Sequence, residues 1–377
     1  MKVLVAPLDW GLGHATRCVP VIREFLRQGA QVEIAVVKSN AAFFRRAFPQ
    51  LRQRLAPSYN VVYPKNGYNM GLWLFKNGTH LNKVMRFEHH FAEEMVERFH
   101  YDVLVSDNRF GFYSSRAKSI YMTHQLRIAF PPVFSYLETI GILWHASVMR
   151  RFDEVWVPDL PDAPGYAGGL SHVSSCPRPM KFLGALSRFS LQEPASQELF
   201  ADASAETPAE LPQFSDSPKY KFVAVVSGVE PARSRFEKKL AEIFLKIPGR
   251  HAIIQGRPAV GLKSWTEGNV DYFSHLPDDV FAQVVRAADW VVSRGGYSTV
   301  MDMAVLGSKC VFVPTPGQYE QIILARDLGK AGFARSLEES ALDVDSLLEC
   351  IKDENVRIPE SRDCHLLTDA VASVTKL

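Results

Sequence analysis

Short runs of four to six apolar residues alternate along the chain with longer segments in which apolar positions recur every three or four residues. The run KVLVA (2–6) reads as a buried strand. The segment after it, 15–28, sets Cys18, Val19, Ile22, Phe25 and Leu26 on one helical face; Gly29 ends that helix and VEIAVV (32–37) is the next strand. Strand, helix and strand in this order predict a βαβ unit and therefore a parallel sheet. Farther along, the spacing predicts a long amphipathic helix over 81–99, strands at DVLVS (102–106) and SIYMT (119–123), an apolar helix over 134–149 and a strand at EVWVP (154–158).

Residues 190–218 interrupt the pattern. They are rich in Ala, Ser, Pro and acidic residues with few large apolar ones, the composition of a mobile loop or linker. Alternation then resumes: strand KFVAVV (221–226), a helix over 232–247, strand HAIIQ (251–255), a strand at 270–273, strand WVVS (290–293), a helix over 298–306, strand CVFVP (310–314) and a helix over 320–328. The expected organisation is two Rossmann-like α/β domains facing across a cleft, the first over 1–157 and the second over 158–361. The closing segment, 362–377, has helical spacing and is expected to pack back on the first domain.

Composition adds few constraints. With 377 residues, 47% hydrophobic and 22% charged, the chain has material for two buried cores and no signature of disorder. Neither a signal-peptide core nor a spanning helix is visible, so a cytoplasmic location is expected. The five cysteines show no CxxC or Cys/His ligand spacing, and no metal or resident cofactor is expected. Charge is uneven: residues 1–157 hold 20 Lys and Arg against 12 Asp and Glu, whereas the remainder holds 23 against 29. Arg45, Arg46, Arg52 and Arg54 lie near Phe43, Phe44, Phe48 and Leu51. They are expected to form a basic amphipathic surface suited to peripheral contact with an anionic membrane, where Trp73, Leu74 and Phe75 would also serve a lipid-linked acceptor. The basic excess is too modest, and aromatic RNA-binding patterns too sparse, for a nucleic-acid partner.

In parallel sheets, ligands gather at the carboxyl ends of the strands. The loops at those ends are chemically loaded. The first reads Gly11-Leu12-Gly13-His14. It lacks both the third glycine of a dinucleotide fingerprint, Thr16 standing there, and the GK[ST] of a P-loop. Its glycines permit a tight turn and close approach of a ligand, and they put His14 at a helix N-terminus, where an imidazole can act as general base or simply cap the helix. Later strands end in Asp107-Asn108-Arg109 and in His124-Gln125, polar clusters that suit sugar hydroxyls or an acceptor, or turn and capping chemistry. In the second half, Gly228 and Arg233 flank a turn into a helix, a setting for a diphosphate. Arg294-Gly295-Gly296 opens another helix, in which Thr299 and Asp302 also read as a capping box. Gln318, Glu320 and Gln321 follow the strand that ends in FVPTPG.

Strand-GLGH-helix, HQ after a later strand, a glycine loop opening the second half and SRGGYSTVMDMAVLGSKCVFVPTPGQYEQ together resemble the MurG-type glycosyltransferases of GT-B fold, with a C-terminal half of glycosyltransferase family 28 type. The resemblance spans both halves and is strongest over 289–334. It implies inverting, metal-independent transfer from a nucleotide sugar, usually a UDP-sugar, to a glycan or lipid-linked acceptor of the cell envelope. By this resemblance Gly228, Arg233, Arg294, Gly295, Gly296 and Thr299 serve the diphosphate, Asp302 the ribose, and Gln318, Glu320 and Gln321 the sugar. His14 and His124 fall near the reacting carbon, and Gly11, Gly13, Asp107, Asn108, Arg109 and Gln125 near the acceptor. The first loop has one glycine fewer than the GGxGGH form, and HQLR stands in place of HEQN. A UDP-sugar 2-epimerase of the same architecture and a non-catalytic nucleotide-sugar-binding protein are the alternative readings.

Overall fold

The computed structural model describes residues 1–10, 12–59, 78–128, 130, 132–190, 219–257, 260–359 and 365–375. Gly11, the Trp73-Leu74-Phe75 triplet and all but the first residue of the expected loop 190–218 lie outside them. The chain divides into two compact units, one of residues 1–190 with 361–377 and one of residues 191–360. Each is built on a seven-stranded sheet with a topological switch at its centre.

In the first unit the strands are β1 (Lys2–Pro7), β2 (Gln31–Val36), β3 (Gln53–Leu55), β4 (Val103–Asp107), β5 (Lys118–Met122), β6 (Glu154–Val157) and β7 (Met180–Phe182). Their order is β3-β2-β1-β4-β5-β6-β7, with every pairing parallel. Val3, Leu4, Val5 and Ala6 are buried, as are Val103, Leu104 and Val105, which is why these strands read as unbroken apolar runs. Helices α1 (Leu12–Arg27), α2 (Lys38–Ala47), α3 (Gly78–Phe99) and α4 (Glu138–Met149) connect them, α4 being preceded by a 3₁₀ turn, Pro132–Leu137. Because β1 leads to β2 on one side while β4 pairs on the other, the carboxyl ends of β1 and β4 flank the switch point, with Pro7 level with Asp107.

The second unit repeats the plan. Its strands are β8 (Tyr220–Val225), β9 (His251–Ile254), β10 (Ser264–Glu267), β11 (Val270–Phe273), β12 (Ala288–Ser293), β13 (Cys310–Phe312) and β14 (Arg335–Ser336), in the order β10-β11-β9-β8-β12-β13-β14. The switch lies between β8 and β12, with Val225 level with Ser293, and only the β10–β11 pairing among the described residues is antiparallel. Helices α5 (Ala232–Phe244), α6 (Asp278–Arg286), α7 (Tyr297–Leu306), α8 (Tyr319–Lys330) and α9 (Val344–Cys350) complete it. Phe222, Phe236, Leu240, Phe244, Trp290 and Val311 form its core.

The pattern of the sequence passed over α2, α6, α9 and the strands β3, β7, β10 and β14. The omitted strands are two to four residues long and none is fully buried, so they lack the apolar run that marks a central strand. One expected boundary moves: residues 158–190 belong to the first unit, not the second. There β7 adds to β6, and the buried Asp159 carboxylate accepts hydrogen bonds from the N–H groups of Leu160, Tyr166 and Ala167 and from the Ser171 hydroxyl, closing the loop in between. The last helix, α10 (His365–Thr375), packs on α1 and β7 through Leu367, Val371 and Val374, while Gln28 Nε2 donates to the Thr368 carbonyl at 3.0 Å.

Of the basic amphipathic surface expected around 43–54, Arg45, Arg46 and Arg52 stay exposed, whereas its other members turn to the protein. Phe44 and Phe48 face the core, and Arg54 pairs with Glu33 at 2.6 Å while its guanidinium lies 3.6 Å over Phe99. The exposed large apolar residues of this unit include Tyr136, Ile140, Ile142 and Leu143, on and just before α4. Among the described residues no helix is long and apolar enough to cross a membrane.

A buried ion pair stands behind β4. Arg109 and Glu88 are both fully buried, with Arg109 Nε donating to Glu88 Oε1 at 2.7 Å. The remaining guanidinium nitrogens donate to the Pro7 and Pro57 carbonyls, and Glu88 Oε2 accepts from the Tyr59 hydroxyl and the Gly111 N–H. Removing one member strands the other charge without water, a loss of about 3–5 kcal/mol. Glu88→Ala is therefore expected to lower the urea midpoint of the first unit's unfolding by that equivalent. Glu93→Ala, which breaks a surface pair with Arg116 at 3.8 Å, should change stability by no more than about 1 kcal/mol.

Candidate active site

Helix α1 begins at Leu12, so His14 sits in its first turn and Arg17 and Cys18 follow at the three- and four-residue spacings that place side chains on one face. That face meets the end of β4. His14 Nδ1 lies 2.9 Å from Asp107 Oδ2; Arg17 Nε donates to Asp107 Oδ1 at 2.8 Å, and Arg17 Nη2 donates to the same oxygen. Cys18 Sγ approaches Asp107 Oδ2 at 3.7 Å. Arg17 also reaches both histidines, with Nη2 2.7 Å from His14 Nδ1 and Nη1 3.2 Å from His124 Nδ1. His124, two residues beyond β5, thereby joins the residues after β1 and at the end of β4 in one cluster at the switch point.

The electrostatics follow from burial. Asp107 is fully buried, which alone would raise its carboxyl, yet the Arg17 guanidinium and His14 outweigh burial and hold it below the usual carboxylate range. Burial, reinforced by Arg17, lowers the His14 imidazole against the opposing pull of Asp107. His14 is thus neutral at pH 7 and able to accept a proton. It keeps 15% of its side chain exposed while Asp107 keeps none, so a ligand can meet the ring but not the carboxylate.

Two expected acceptor residues turn inward. Arg109 is consumed by Glu88 and backbone carbonyls, and this corrects its assignment to the acceptor. Asn108 adopts a left-handed backbone, φ 57°, and its side-chain oxygen accepts from the Tyr121 hydroxyl at 2.9 Å, an internal role. Tyr121 Oη lies 3.0 Å from His145 Nε2, whose ring is buried and lowered to about 4 by that burial. Gly13 and Gln125 lie beside the cluster: the Gly13 carbonyl accepts from the Thr16 hydroxyl, and the Gln125 amide lies 3.4 Å from His124 Nε2.

At the switch point of the second sheet the two expected helix ends differ. After β8, the Glu230 carboxylate folds onto the start of α5, accepting from Ser234 N–H at 3.2 Å, Ser234 Oγ at 2.9 Å and Arg233 Nη1 at 3.1 Å. Arg233 is buried and also donates to Glu237 and the Gln255 carbonyl, so its guanidinium is committed to the protein, a correction to its assignment to the diphosphate. Gly228 keeps the exposed turn, at φ 107°. Arg294 is likewise corrected: it is buried, donates to the Val313 and Pro314 carbonyls, pairs with Glu339 at 2.8 Å and covers Phe236 at 3.8 Å.

The end of α7 is different. Its N-cap is Gly296, which brings no side chain to the first turn. Thr299 therefore lies inside the helix and does not cap it, which removes the capping-box reading of Thr299 and Asp302. Neither Gly295 nor Gly296 has a positive φ, and an added Cβ would meet protein atoms no closer than 3.5 Å and 3.9 Å, respectively. The fold gives neither position a steric need for glycine. Gln318 is the N-cap of α8, Glu320 lies in its first turn, and Gln321 Oε1 accepts from Thr315 N–H at 2.8 Å, which holds the preceding loop.

The residue that motif reading left without a role is Arg17. Its signal was the three-residue spacing from His14 inside a helix, but its partners Asp107 and His124 lie 90 and 107 residues away. Among the described residues no three His, Cys, Asp or Glu side chains cluster as a metal-ligand set.

The two sheets, each with helices between parallel strands, are those of a two-domain Rossmann-like GT-B fold. Residues 237–362 match the glycosyltransferase family 28 C-terminal domain. The chain is 20% identical, over 94% of its length and 89% of the relative's, to an uncharacterized glycosyltransferase of Methanosarcina mazei. Over 25% of the chain it is 31% identical to the UDP-N-acetylglucosamine–N-acetylmuramyl-(pentapeptide) pyrophosphoryl-undecaprenol N-acetylglucosamine transferase of Dichelobacter nodosus, covering 27% of that enzyme. The glycosyltransferase of kitacinnamycin superposes with a TM-score of 0.66 at 16% identity, covering 100% of this chain and 98% of that one. The chain is a glycosyltransferase of GT-B fold whose second half is similar to MurG-type enzymes.

Acid should test the cluster's burial. In the unfolded chain His145 titrates near its ordinary 6.5, whereas in the fold it titrates near 4, and His14 is shifted the same way. The unfolded state therefore binds more protons below pH 6.5, and stability is lost as pH falls through the window from about 6.5 to 4. His145 alone accounts for about 3 kcal/mol by the end of it. The expected outcome is a falling Tm between pH 7 and 4.5, with a shallower fall in His145→Asn.

Proposed function

We propose that the chain transfers a sugar from a UDP-sugar, with inversion and without a metal, to a hydroxyl of an acceptor that carries an apolar part, such as a lipid-linked glycan. The observation that carries this reading is the pairing of a partly exposed His14 with a fully buried, ionised Asp107 at a switch point. A lone pair on His14 Nδ1 would face the carboxylate at 2.9 Å, acceptor against acceptor, so the proton belongs on Nδ1 and the lone pair on Nε2. Nε2 then takes the proton of the acceptor hydroxyl as its oxygen bonds to the anomeric carbon. The bond from that carbon to the diphosphate oxygen breaks, and its electrons leave with the nucleoside diphosphate. One displacement gives one inversion.

Charge on the departing diphosphate is met by the backbone N–H groups that open α7, a helix end that favours anions without magnesium. The two glycines there, which the fold does not need, leave room for that approach. Asp302, in the second turn of the helix, takes the ribose, and Gln318 and Glu320 the sugar. The relative from Dichelobacter nodosus, which by its name uses UDP-N-acetylglucosamine, supports uridine as the base. The exposed Tyr136, Ile140 and Leu143 support the apolar part of the acceptor: the 3₁₀ turn before α4 carries the first and α4 the other two, and the buried His145 of α4 is joined through Tyr121 to Asn108, beside Asp107.

His14→Ala is expected to reduce kcat by about 10²–10⁴-fold, the usual contribution of a general base, with the calorimetric affinity for the UDP-sugar unchanged. Gly296→Ala should have the opposite signature. Its stability should change by less than about 1 kcal/mol, while UDP-sugar binding weakens at least tenfold, with or without EDTA. Conversion of the UDP-sugar to its epimer in the absence of any acceptor would overturn the transferase reading. For the acceptor, Ile140→Ser with Leu143→Ser should raise its KM several-fold and leave kcat in place.

A further inference from the structure

Arg17 touches three members of the cluster at once, and it can only donate. A guanidinium has five N–H groups in a rigid plane and no lone pair to offer, so any ring nitrogen that accepts from it must be unprotonated. Nε and Nη2 are directed at Asp107 Oδ1, and Nη1 is directed at His124 Nδ1, 3.2 Å away. His124 Nδ1 therefore carries the lone pair and its proton sits on Nε2. Gln125 Nε2 lies 3.4 Å from His124 Nε2, and two N–H groups cannot bond each other, so with His124 protonated on Nε2 the Gln125 amide turns end for end and presents its oxygen.

His14 Nδ1 is contested, lying 2.7 Å from Arg17 Nη2 and 2.9 Å from Asp107 Oδ2. The carboxylate decides it. Nη2 keeps Oδ1 as an acceptor for one of its two N–H groups, whereas Oδ2, in a carboxylate that no water reaches, has as its donors His14 Nδ1 and a Cys18 thiol at 3.7 Å. An ionised oxygen left with the thiol alone would cost more than the His14–Arg17 contact returns. His14 donates from Nδ1, and the two nitrogens approach each other as two donors converging on one carboxylate.

We propose that Arg17 is a positioning residue that sets the two histidines in opposite tautomers, Nδ1–H on His14 and Nε2–H on His124, so that the cluster holds a single base. This rests on reading His14 as that base and takes it further. His124, nearly fully buried and with its Nδ1 lone pair occupied, is a positioning residue too, in place of a second candidate base. The same arginine opposes protonation of His14 through its charge. The groups facing His14 are Arg17 from α1, Asp107 from β4 and His124 from the loop beyond β5, while Cys18 and Tyr121 act on Asp107 in turn.

The test reads tautomers directly. In protein labelled with ¹⁵N-histidine, two-bond ¹H–¹⁵N correlations at pH 7.5, assigned with His14→Gln and His124→Gln, separate protonated from bare ring nitrogens. The expected pattern in the wild type is Nδ1 protonated on His14 and Nε2 protonated on His124. The same tautomer on both rings, or the reverse pattern, overturns the proposal, and this outcome needs no variant of Arg17 to fold and no activity. In Arg17→Lys, which keeps the charge but not the planar fork, His124 should populate both tautomers while His14 keeps Nδ1–H; an unchanged His124 overturns the proposal. In Arg17→Gln the acidic limb of kcat/KM should move to higher pH, because Asp107 continues to favour the charged ring and the opposing cation is gone. A limb that stays in place while kcat falls would mark Arg17 as merely structural. Activity retained in His14→Ala beside the expected tautomer pattern would remove the base reading and leave the tautomer assignment standing.

Discussion

A carboxylate that no solvent reaches, at the end of a central strand, needs neutralising partners, and Asp107 draws them from one helix. Helix α1 supplies Arg17, His14 and Cys18 from successive turns, and Arg17 in turn holds His124 from the loop after β5. The constraint is energetic as well as geometric: an unpaired buried charge costs several kcal/mol, so the strand end, helix start and loop are held in one arrangement. That arrangement places a neutral imidazole at the edge of the switch point, with its outer nitrogen turned away from the carboxylate.

Directly behind this cluster lies the Arg109–Glu88 pair, two residues along the same strand exit. Asp107 and Arg109 sit on either side of Asn108, whose left-handed backbone turns the chain between them. One charge is aimed at the ligand-facing cluster, the other into the core. Such a turn lets adjacent polar residues serve opposite purposes, one chemical and one architectural. In the second unit the same division appears, with Arg233 and Arg294 spent on internal carbonyls and carboxylates while the glycines between β12 and α7 leave the helix end uncluttered.

Much of this was legible in the sequence. The order of strands and helices, the two α/β halves, the helical return at the carboxyl terminus and the chemical loading of the strand ends could all be read from apolar periodicity and glycine placement. The strands that escaped notice are short edge strands, β3, β7, β10 and β14, held by pairing to a neighbour and not by an apolar run of their own. The boundary at 157 failed for the same reason: β7 joins the first sheet through β6, a pairing that leaves no periodic trace in the chain.

The sequence by itself determined where chemistry could reside, because local spacing decides which residues follow a strand and open a helix. It could not determine which of those polar residues face a ligand. Arg109, Arg233 and Arg294 follow the strand ends at which parallel α/β sheets hold their ligands, yet each is turned inward by a partner supplied from another element, Glu88, the Gln255 carbonyl and Glu339 among them. Arg17, within the first motif, acquires its role only when Asp107 and His124 arrive from 90 and 107 residues away. Periodicity reports local geometry, whereas the neutralisation of a buried charge is settled by whichever groups the tertiary fold brings within hydrogen-bonding distance.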